Sequence, residues 1–374
     1  MPFSEFAGNP ETIHRLREML ARNRFPHAVI LSGAQGSGKY TLALMLARAM
    51  NCLEQPLTGK TTNGDSLPDF CGRCSNCTRI AQAEDLDSRF AEAVEARENL
   101  RDTEKKETRL FVQTHPDVLI IPPDPPQLMI KVDQVRHVIE TIYYRPGEAR
   151  ERVYIFTSSA FMKEAANSLL KVLEEPPEFA TIFLLTENAG ELLPTIRSRS
   201  MTFNLGALAS TEIESRLAKL RPDWNARQRA LVARLSEGAI GRALSFDLES
   251  YVAARNHALI MLKSALGGND NAHTELFKTT ESYRSGAEGR AKIETLLRTL
   301  YSLLEDLIFL QSGAEQLVRN TDILGELKKM SESADFAWVQ RAADGLGEVE
   351  RGLRRNLLRS LSLDAFATAL ERVS

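Results

Sequence analysis

Gly33-Ala34-Gln35-Gly36-Ser37-Gly38-Lys39-Tyr40-Thr41 stands between an apolar run, Ala28 to Leu31, and a strongly helix-forming stretch from Leu42 to Met50. Strand, glycine-rich loop and helix in that order, with four residues between Gly33 and the Gly38-Lys39 pair, make the pattern of a phosphate-binding loop. Its glycines let backbone N–H groups face an anion at a helix N-terminus while the lysine neutralises charge. Gly33, Gly36, Gly38 and Lys39 are therefore the candidate phosphate contacts. The following position breaks the pattern. Ser or Thr is needed there to hold Mg²⁺, and here it is Tyr40, with Thr41 one residue late and so turned about 100° around the helix. The loop predicts the fold and leaves ATP binding doubtful.

Working outward, the first 205 residues alternate short β-like runs with helical patterns. The predicted strands are Ala28 to Leu31, Val118 to Ile121, Val153 to Phe156, Thr181 to Leu185 and Met201 to Asn204. That alternation predicts an α/β domain, a parallel sheet with helices on both faces. A nucleotide-hydrolysing site also needs an acidic pair at the end of a later strand, one acid ordering Mg²⁺ and the other polarising water. The strand Arg152 to Phe156 runs instead into Thr157-Ser158-Ser159-Ala160-Phe161, and the nearest carboxylate, Glu164, falls inside the next helix. With the hydroxyl and the acids missing together, no ATP turnover is expected of this chain alone.

The chain has four cysteines, Cys52, Cys71, Cys74 and Cys77, three of them within the run Cys71-Gly72-Arg73-Cys74-Ser75-Asn76-Cys77. Two-residue spacers let a tight turn aim successive sulfurs at one point, and Zn²⁺ takes four thiolates tetrahedrally. In a reducing compartment such a cluster reads as a structural zinc site before it reads as disulfides. A site closed by four protein ligands leaves no position for water, so this zinc would staple an insertion and do no chemistry.

Length, composition and charge bound the rest. A chain of 374 residues has room for two or three domains, and 26% charged with 43% hydrophobic residues excludes disorder, collagen and a coiled-coil rod. Lys plus Arg (47) against Asp plus Glu (50) leaves a formal charge of -3. Such a balance lacks the global basic footprint of a free-standing nucleic-acid binder, so any DNA contact must be local. The longest apolar runs fall far short of the roughly 18 residues that span a bilayer. Met1-Pro2-Phe3-Ser4-Glu5 carries no basic region leading into an apolar stretch, so no secretory signal is read and a cytoplasmic protein is expected.

From Glu84 to Arg109 charges of both signs dominate, with Leu86, Phe90 and Val94 four residues apart and Asp85/Arg89 and Asp102/Lys106 set as helix-stabilising pairs. This predicts a solvated helical insertion over about residues 82–112. Beyond about residue 205 the strand-like runs stop, and amphipathic segments follow: Glu212 to Leu220, Ala226 to Leu235, Leu296 to Leu310. Arg351, Arg354, Arg355 and Arg359 lie at near-helical spacing beside Leu353, Leu357, Leu358 and Leu361, as on the wet side of a packed helix.

Three further motifs join the loop and the cysteines: the helix Asn167-Ser168-Leu169-Leu170-Lys171-Val172-Leu173-Glu174-Glu175-Pro176-Pro177, the segment Leu193-Pro194-Thr195-Ile196-Arg197-Ser198-Arg199-Ser200, and Glu237-Gly238-Ala239-Ile240-Gly241-Arg242-Ala243-Leu244. Together they closely resemble the AAA+ subunits of the bacterial DNA polymerase III clamp loader, over about residues 1–245 and more weakly beyond. That resemblance implies an AAA+ P-loop domain at 1–205, carrying a zinc module at 52–77, then an all-α lid at 206–248 and an all-α C-terminal collar at 249–374. The gamma/tau ATPases of the family have Gly-Lys-Thr in the loop and Asp-Glu after the third strand, whereas the delta-prime type has usually lost one or both. Lys39-Tyr40 and Thr157-Ser158 resemble delta-prime. The resemblance implies a part in the DNA polymerase III holoenzyme, with delta and gamma/tau subunits, a sliding clamp and primed DNA as partners and no membrane. Arg199, in Ser198-Arg199-Ser200 where the family has Ser-Arg-Cys, would be an arginine finger reaching the γ-phosphate on a neighbouring subunit. A surface arginine paired with a carboxylate is the alternative. Arg242 falls on the lid segment that senses nucleotide; a plain structural residue at a helix start is its alternative. A gamma/tau-type motor and a nucleotide-binding, non-hydrolysing regulator remain as other functions, and the segment Glu84 to Arg109 departs from the family.

Overall fold

The computed structural model describes residues 2–60, 64, 66–267, 280, 283, 286–354 and 359–370. Contacts divide the chain into two units, one of residues 1–209 with 238–242 and the other of 210–237 with 243–374. In the first unit, strands β1 (Ala28–Ser32), β2 (Leu57–Lys60), β3 (Ser66–Pro68), β4 (Val112–His115), β5 (Val118–Ile121), β6 (Arg152–Phe156), β7 (Ala180–Thr186) and β8 (Met201–Asn204) alternate with helices. The helices are α1 (Pro10–Ala21), α2 (Lys39–Asn51), α3 (Ser75–Ala81), α4 (Leu86–Glu98), α5 (Asp102–Glu107), α6 (Val132–Thr141), α7 (Lys163–Glu174) and α8 (Pro194–Arg197).

Six strands form one sheet in the order β4-β5-β6-β7-β1-β8. All neighbours from β5 to β8 are parallel, and β4 is antiparallel on the edge. The five predicted strands are all present, and they are apolar runs because helices cover both faces. Side chains alternate sides along a strand. Val29, Leu31, Ile155 and Phe183 thus pack with Leu42 and Leu46 of α2, while Ile30, Phe156 and Leu184 pack with Val135 of α6 and Leu169 of α7. The α/β architecture expected of the first part of the chain, a parallel sheet with helices on both faces, is this sheet with its two helical layers.

Strands β2, β3 and β4 carry no apolar alternation and were not expected. The β2–β3 hairpin is secured from outside: Arg17 of α1 donates from Nε to the Pro68 carbonyl (2.9 Å) and from Nη2 to Thr58, whose hydroxyl donates to Asp69 (2.7 Å). The charged insertion forms α4 and α5, and α4 buries no residue, so the solvated helix is real. Its pairs differ from the expected ones. Asp85 caps the helix by accepting from the Ser88 N–H (3.1 Å), and Arg89 pairs with Glu92 instead, three residues on rather than four back. The side chain of Lys106 lies outside the described residues.

The second unit is helical, as the loss of strand-like runs predicts. Its described helices are α9 (Ser210–Leu220), α10 (Ala226–Leu235) and α12 (Leu248–Ala265), then Gly286–Gln311, Leu324–Ser333, Phe336–Arg354 and Arg359–Ala369. The short α11 (Ile240–Leu244) spans the boundary between the units. A buried polar network closes the core of the second unit: Asp306 accepts from the N–H groups of Arg319 and Asn320, and Arg255 forms a two-point pair with Asp322 (2.7 and 2.6 Å). Of the C-terminal arginines, Arg351 is exposed; Arg355, Leu357, Leu358 and the side chains of Arg354 and Arg359 lie outside the described residues. Leu361, expected against a core, is 60% exposed. Among the described residues no helix is long and apolar enough to cross a membrane.

Candidate functional site

The glycine-rich loop leaves β1 and enters α2, as its spacing requires. Gly36 and Gly38 have φ of +79° and +90°, a left-handed backbone that side chains rarely adopt. Space makes the same demand. A Cβ on Gly36 would stand 2.6 Å from the Arg242 nitrogen, one on Gly38 2.9 Å from the Phe6 ring, and one on Gly33 2.6 Å from the Leu205 carbonyl. The loop is thus packed from three sides. The Gly241 N–H donates to the Gly36 carbonyl (2.8 Å), so the segment holding Arg242 is a direct neighbour of the loop. Lys39 turns back on the loop and donates to the carbonyls of Gly33 (2.5 Å) and Ala34 (2.8 Å). Burial lowers its pKa, with Glu187 acting in the opposite sense.

Tyr40 faces away from the phosphate position. Its hydroxyl donates to the Ala83 carbonyl (2.5 Å), and the ring packs against the core beneath α2. About two turns further along α2, buried Arg48 pairs with Glu84. The residue that replaces a Mg²⁺-binding hydroxyl therefore ties the loop helix to the segment after α3.

The end of β6 has the expected hydroxyls, but the fold brings them a carboxylate from elsewhere. Glu191, in a short turn after β7, accepts from Ser159 (2.5 Å) and from Thr186 (3.0 Å). Glu164, the nearest acid in sequence, is not its equivalent. Nothing in the local pattern signals Glu191, because the approach depends on β6 and β7 being neighbours.

Cys52, Cys71, Cys74 and Cys77 come together, with their sulfurs all within 4.8 Å of one another. Four thiolates around Zn²⁺ at about 2.3 Å would be roughly 3.8 Å apart, so only a small contraction separates this cluster from a tetrahedral site. Backbone N–H groups already point at the sulfurs: Gln55 and Cys71 donate to Cys52 (both 3.2 Å), and Cys74 donates to Cys71 (3.3 Å). Burial opposes ionisation of Cys74, yet N–H groups of Cys77 and Leu53 hold its thiol down at about 7. Burial pushes the thiols of Cys71 and Cys77 up. The donor set fits a structural metal ion, and Cys52 reaches it because α2 ends there.

Arg199 lies at the other end of the sheet from the loop. β8 runs parallel to β1 with Met201 opposite Val29, so Arg199 stands before the first residues of both strands, while Gly33 follows the last residue of β1. A strand of that length spans roughly 16 Å at about 3.3 Å per residue. Arg199 is exposed, donates to the Thr195 carbonyl (3.1 Å) and pairs with Glu174 (2.8 Å). The carboxylate partner expected of a surface arginine is thus present.

A family model described as DNA polymerase III, delta subunit, matches residues 8–209, more than half of the chain. The chain belongs to this delta-subunit family. As a member of the family it is also similar to proteins named for other subunits. It is 26% identical over 86% of its length to DNA polymerase III subunit delta' of Bacillus subtilis, covering 83% of that protein. It is 29% identical over 65% of its length to subunit tau/gamma of Haemophilus influenzae and 27% identical over 71% to subunit tau of Escherichia coli. The delta-subunit family member spans only 30% and 36% of the length of those two relatives. Among solved structures, a gamma subunit-related protein of DNA polymerase III from Thermotoga maritima aligns with 95% of this chain and 98% of its own, at 17% identity and a TM-score of 0.46.

Proposed function

We propose that this protein is a delta-prime-type subunit of the DNA polymerase III clamp loader, a hydrolytically inert AAA+ subunit that lends Arg199 to the ATP site of a neighbour. The observation that carries this reading is the separation of Arg199 from the chain's own phosphate loop by the length of β1. An exposed guanidinium at that end of the sheet serves a site on another chain far more readily than its own. The hydrogen-bonded turn before β8, in which the Arg199 N–H donates to the Ile196 carbonyl (3.1 Å), supports it, since a finger in trans must be held while it contacts a γ-phosphate. The inertness rests on Tyr40, engaged with Ala83, and on the hydroxyls that replace acids at the end of β6.

In this reading the partners are the delta and gamma/tau subunits, with the sliding clamp and primed DNA reached through the complex in the cytoplasm. Cys52, Cys71, Cys74 and Cys77 hold one structural zinc. Gly33, Gly36, Gly38 and Lys39 form a degenerate loop, and Arg242 is a structural neighbour of that loop rather than a nucleotide sensor. The helical part divides into a lid at 206–248 and a collar at 249–374 that packs against the other subunits. The similarity to tau and gamma subunits favours a second reading, a hydrolysing motor. ATP turnover by the isolated protein decides between them: the delta-prime reading expects none above a Lys39→Ala control, and turnover abolished by that substitution establishes the motor.

A further inference from the structure

The Glu174–Arg199 contact joins two conspicuous motifs that the proposed function treats separately. Glu174 is the last residue of α7, followed by Glu175-Pro176-Pro177. An acid in the last helical turn sits at the negative end of the helix dipole, where it is unfavourable. Its position is not explained by stability either, because the two side chains are 35% and 52% exposed and an ion pair in that setting contributes little. What the contact does provide is geometry. Arg199 Nη2 is held by Glu174 at the end of α7, and Nη1 by the Thr195 carbonyl in α8 and, at 3.4 Å, by the Ser198 hydroxyl.

Anchors on both terminal nitrogens, from two different helices, fix the plane of the guanidinium. A guanidinium has five N–H donors. Among the described residues Nε–H and one hydrogen of Nη2 have no acceptor, so the anchors leave donors for a ligand. Beside them a cleft of about 650 Å³ opens along the N-terminal ends of β1, β7 and β8, lined by His27, Glu174, Pro176, Ser198, Arg199 and Thr202.

From this geometry we infer that Glu174 is a positioning residue for Arg199, holding the guanidinium ready for the phosphate of a nucleoside triphosphate bound to the neighbouring subunit. The inference rests on the reading that Arg199 acts in trans. In that hydrolysis a water oxygen bonds to the γ-phosphorus, the bond to the β–γ bridging oxygen breaks, and ADP, inorganic phosphate and a proton leave. Arg199 offsets charge on the γ-phosphoryl oxygens; Glu174 touches neither water nor nucleotide. Without Glu174 the long side chain loses one of its two fixed points, and a displacement of about 1 Å can cost on the order of 100-fold in rate.

The test uses the reconstituted complex with gamma/tau-type ATPase subunits. The quantity read is the Arg199-dependent part of its ATP turnover, the wild-type rate minus that of Arg199→Ala. Glu174→Ala is expected to remove most of that part through kcat, with KM for ATP and complex assembly by analytical ultracentrifugation unchanged. Glu174→Gln, which keeps an acceptor oxygen without the charge, is expected to retain at least half of it. The double variant is expected to match Arg199→Ala alone. An unchanged rate for Glu174→Ala, a faster one indicating a mask, or a further fall in the double variant would overturn the positioning role while leaving Arg199 as the finger. Wild-type turnover by Arg199→Ala, with assembly intact, would instead remove the premise and the inference with it.

Discussion

The hydroxyl of Tyr40 lies 2.5 Å from the carbonyl of Ala83 and donates to it, joining the first turn of the loop helix to the residue just before the charged segment. The motif position that would hold Mg²⁺ is therefore committed to packing. Restoring the hydroxyl by Tyr40→Thr is expected to cost about 2–3 kcal/mol, for the lost ring contacts and the unpaired carbonyl. It is expected to leave ATP turnover at background, because the acids beyond β6 are still absent. Urea denaturation and a phosphate-release assay measure the two effects.

Zinc is expected at about one per chain in protein purified under reducing conditions without chelators, measured by atomic emission. The ligands bind as thiolates, so metal is expected to be lost as pH falls and their protonation competes. Cys77→Ser removes a buried ligand and is expected to abolish stoichiometric zinc and lower thermal stability. Full zinc content in that variant would count against the four-cysteine site.

Asp117 provides a pH-dependent element. Burial opposes its ionisation, but the N–H groups of Glu148, Gly147 and Ala149 and the charge of Arg152 together hold its carboxyl below the ordinary value. The native state then binds fewer protons than the unfolded chain. Its contribution is complete above the unfolded pKa of about 3.9 and is lost as pH falls through the lower native value. Asp117→Asn is expected to lower stability at neutral pH by about 2 kcal/mol and to flatten the acid limb of stability against pH. Denaturation series between neutral pH and the acid limb test this, and an unchanged slope would refute it.

The insertion is fastened at Arg97, which reaches Asp124 with two hydrogen bonds (2.8 and 2.9 Å), while Lys131 reaches the same carboxylate at 3.0 Å. Because α4 fully buries no residue of its own and only Leu86 at its start packs against the core, this pair is the tie of its C-terminal end. Arg97→Ala is expected to leave the sheet intact, to cost about 1–3 kcal/mol by leaving buried Asp124 with one partner, and to speed hydrogen exchange selectively over residues 84–109. Uniform exchange across the domain would show that the anchor is not specific to the insertion.

Glycine spacing, five apolar runs and four cysteines were enough to read the sheet, the loop and the cysteine cluster from the chain itself. Each is a local constraint: a left-handed glycine, a strand covered on both sides, a turn that aims two sulfurs at one point. Asp85 and Arg89 illustrate where local spacing fails, since a helix cap outcompeted an exposed ion pair whose strength is only a few tenths of a kcal/mol. Glu191 beside Ser159, Gly241 on Gly36, Tyr40 against Ala83 and Glu174 on Arg199 were not legible. Each joins segments whose distance in sequence says nothing of their distance in space. For Glu191 with Ser159 and Glu174 with Arg199 the order of strands decided the meeting, because a parallel sheet brings the ends of β6, β7, β1 and β8 together only once its crossovers have packed both hydrophobic faces.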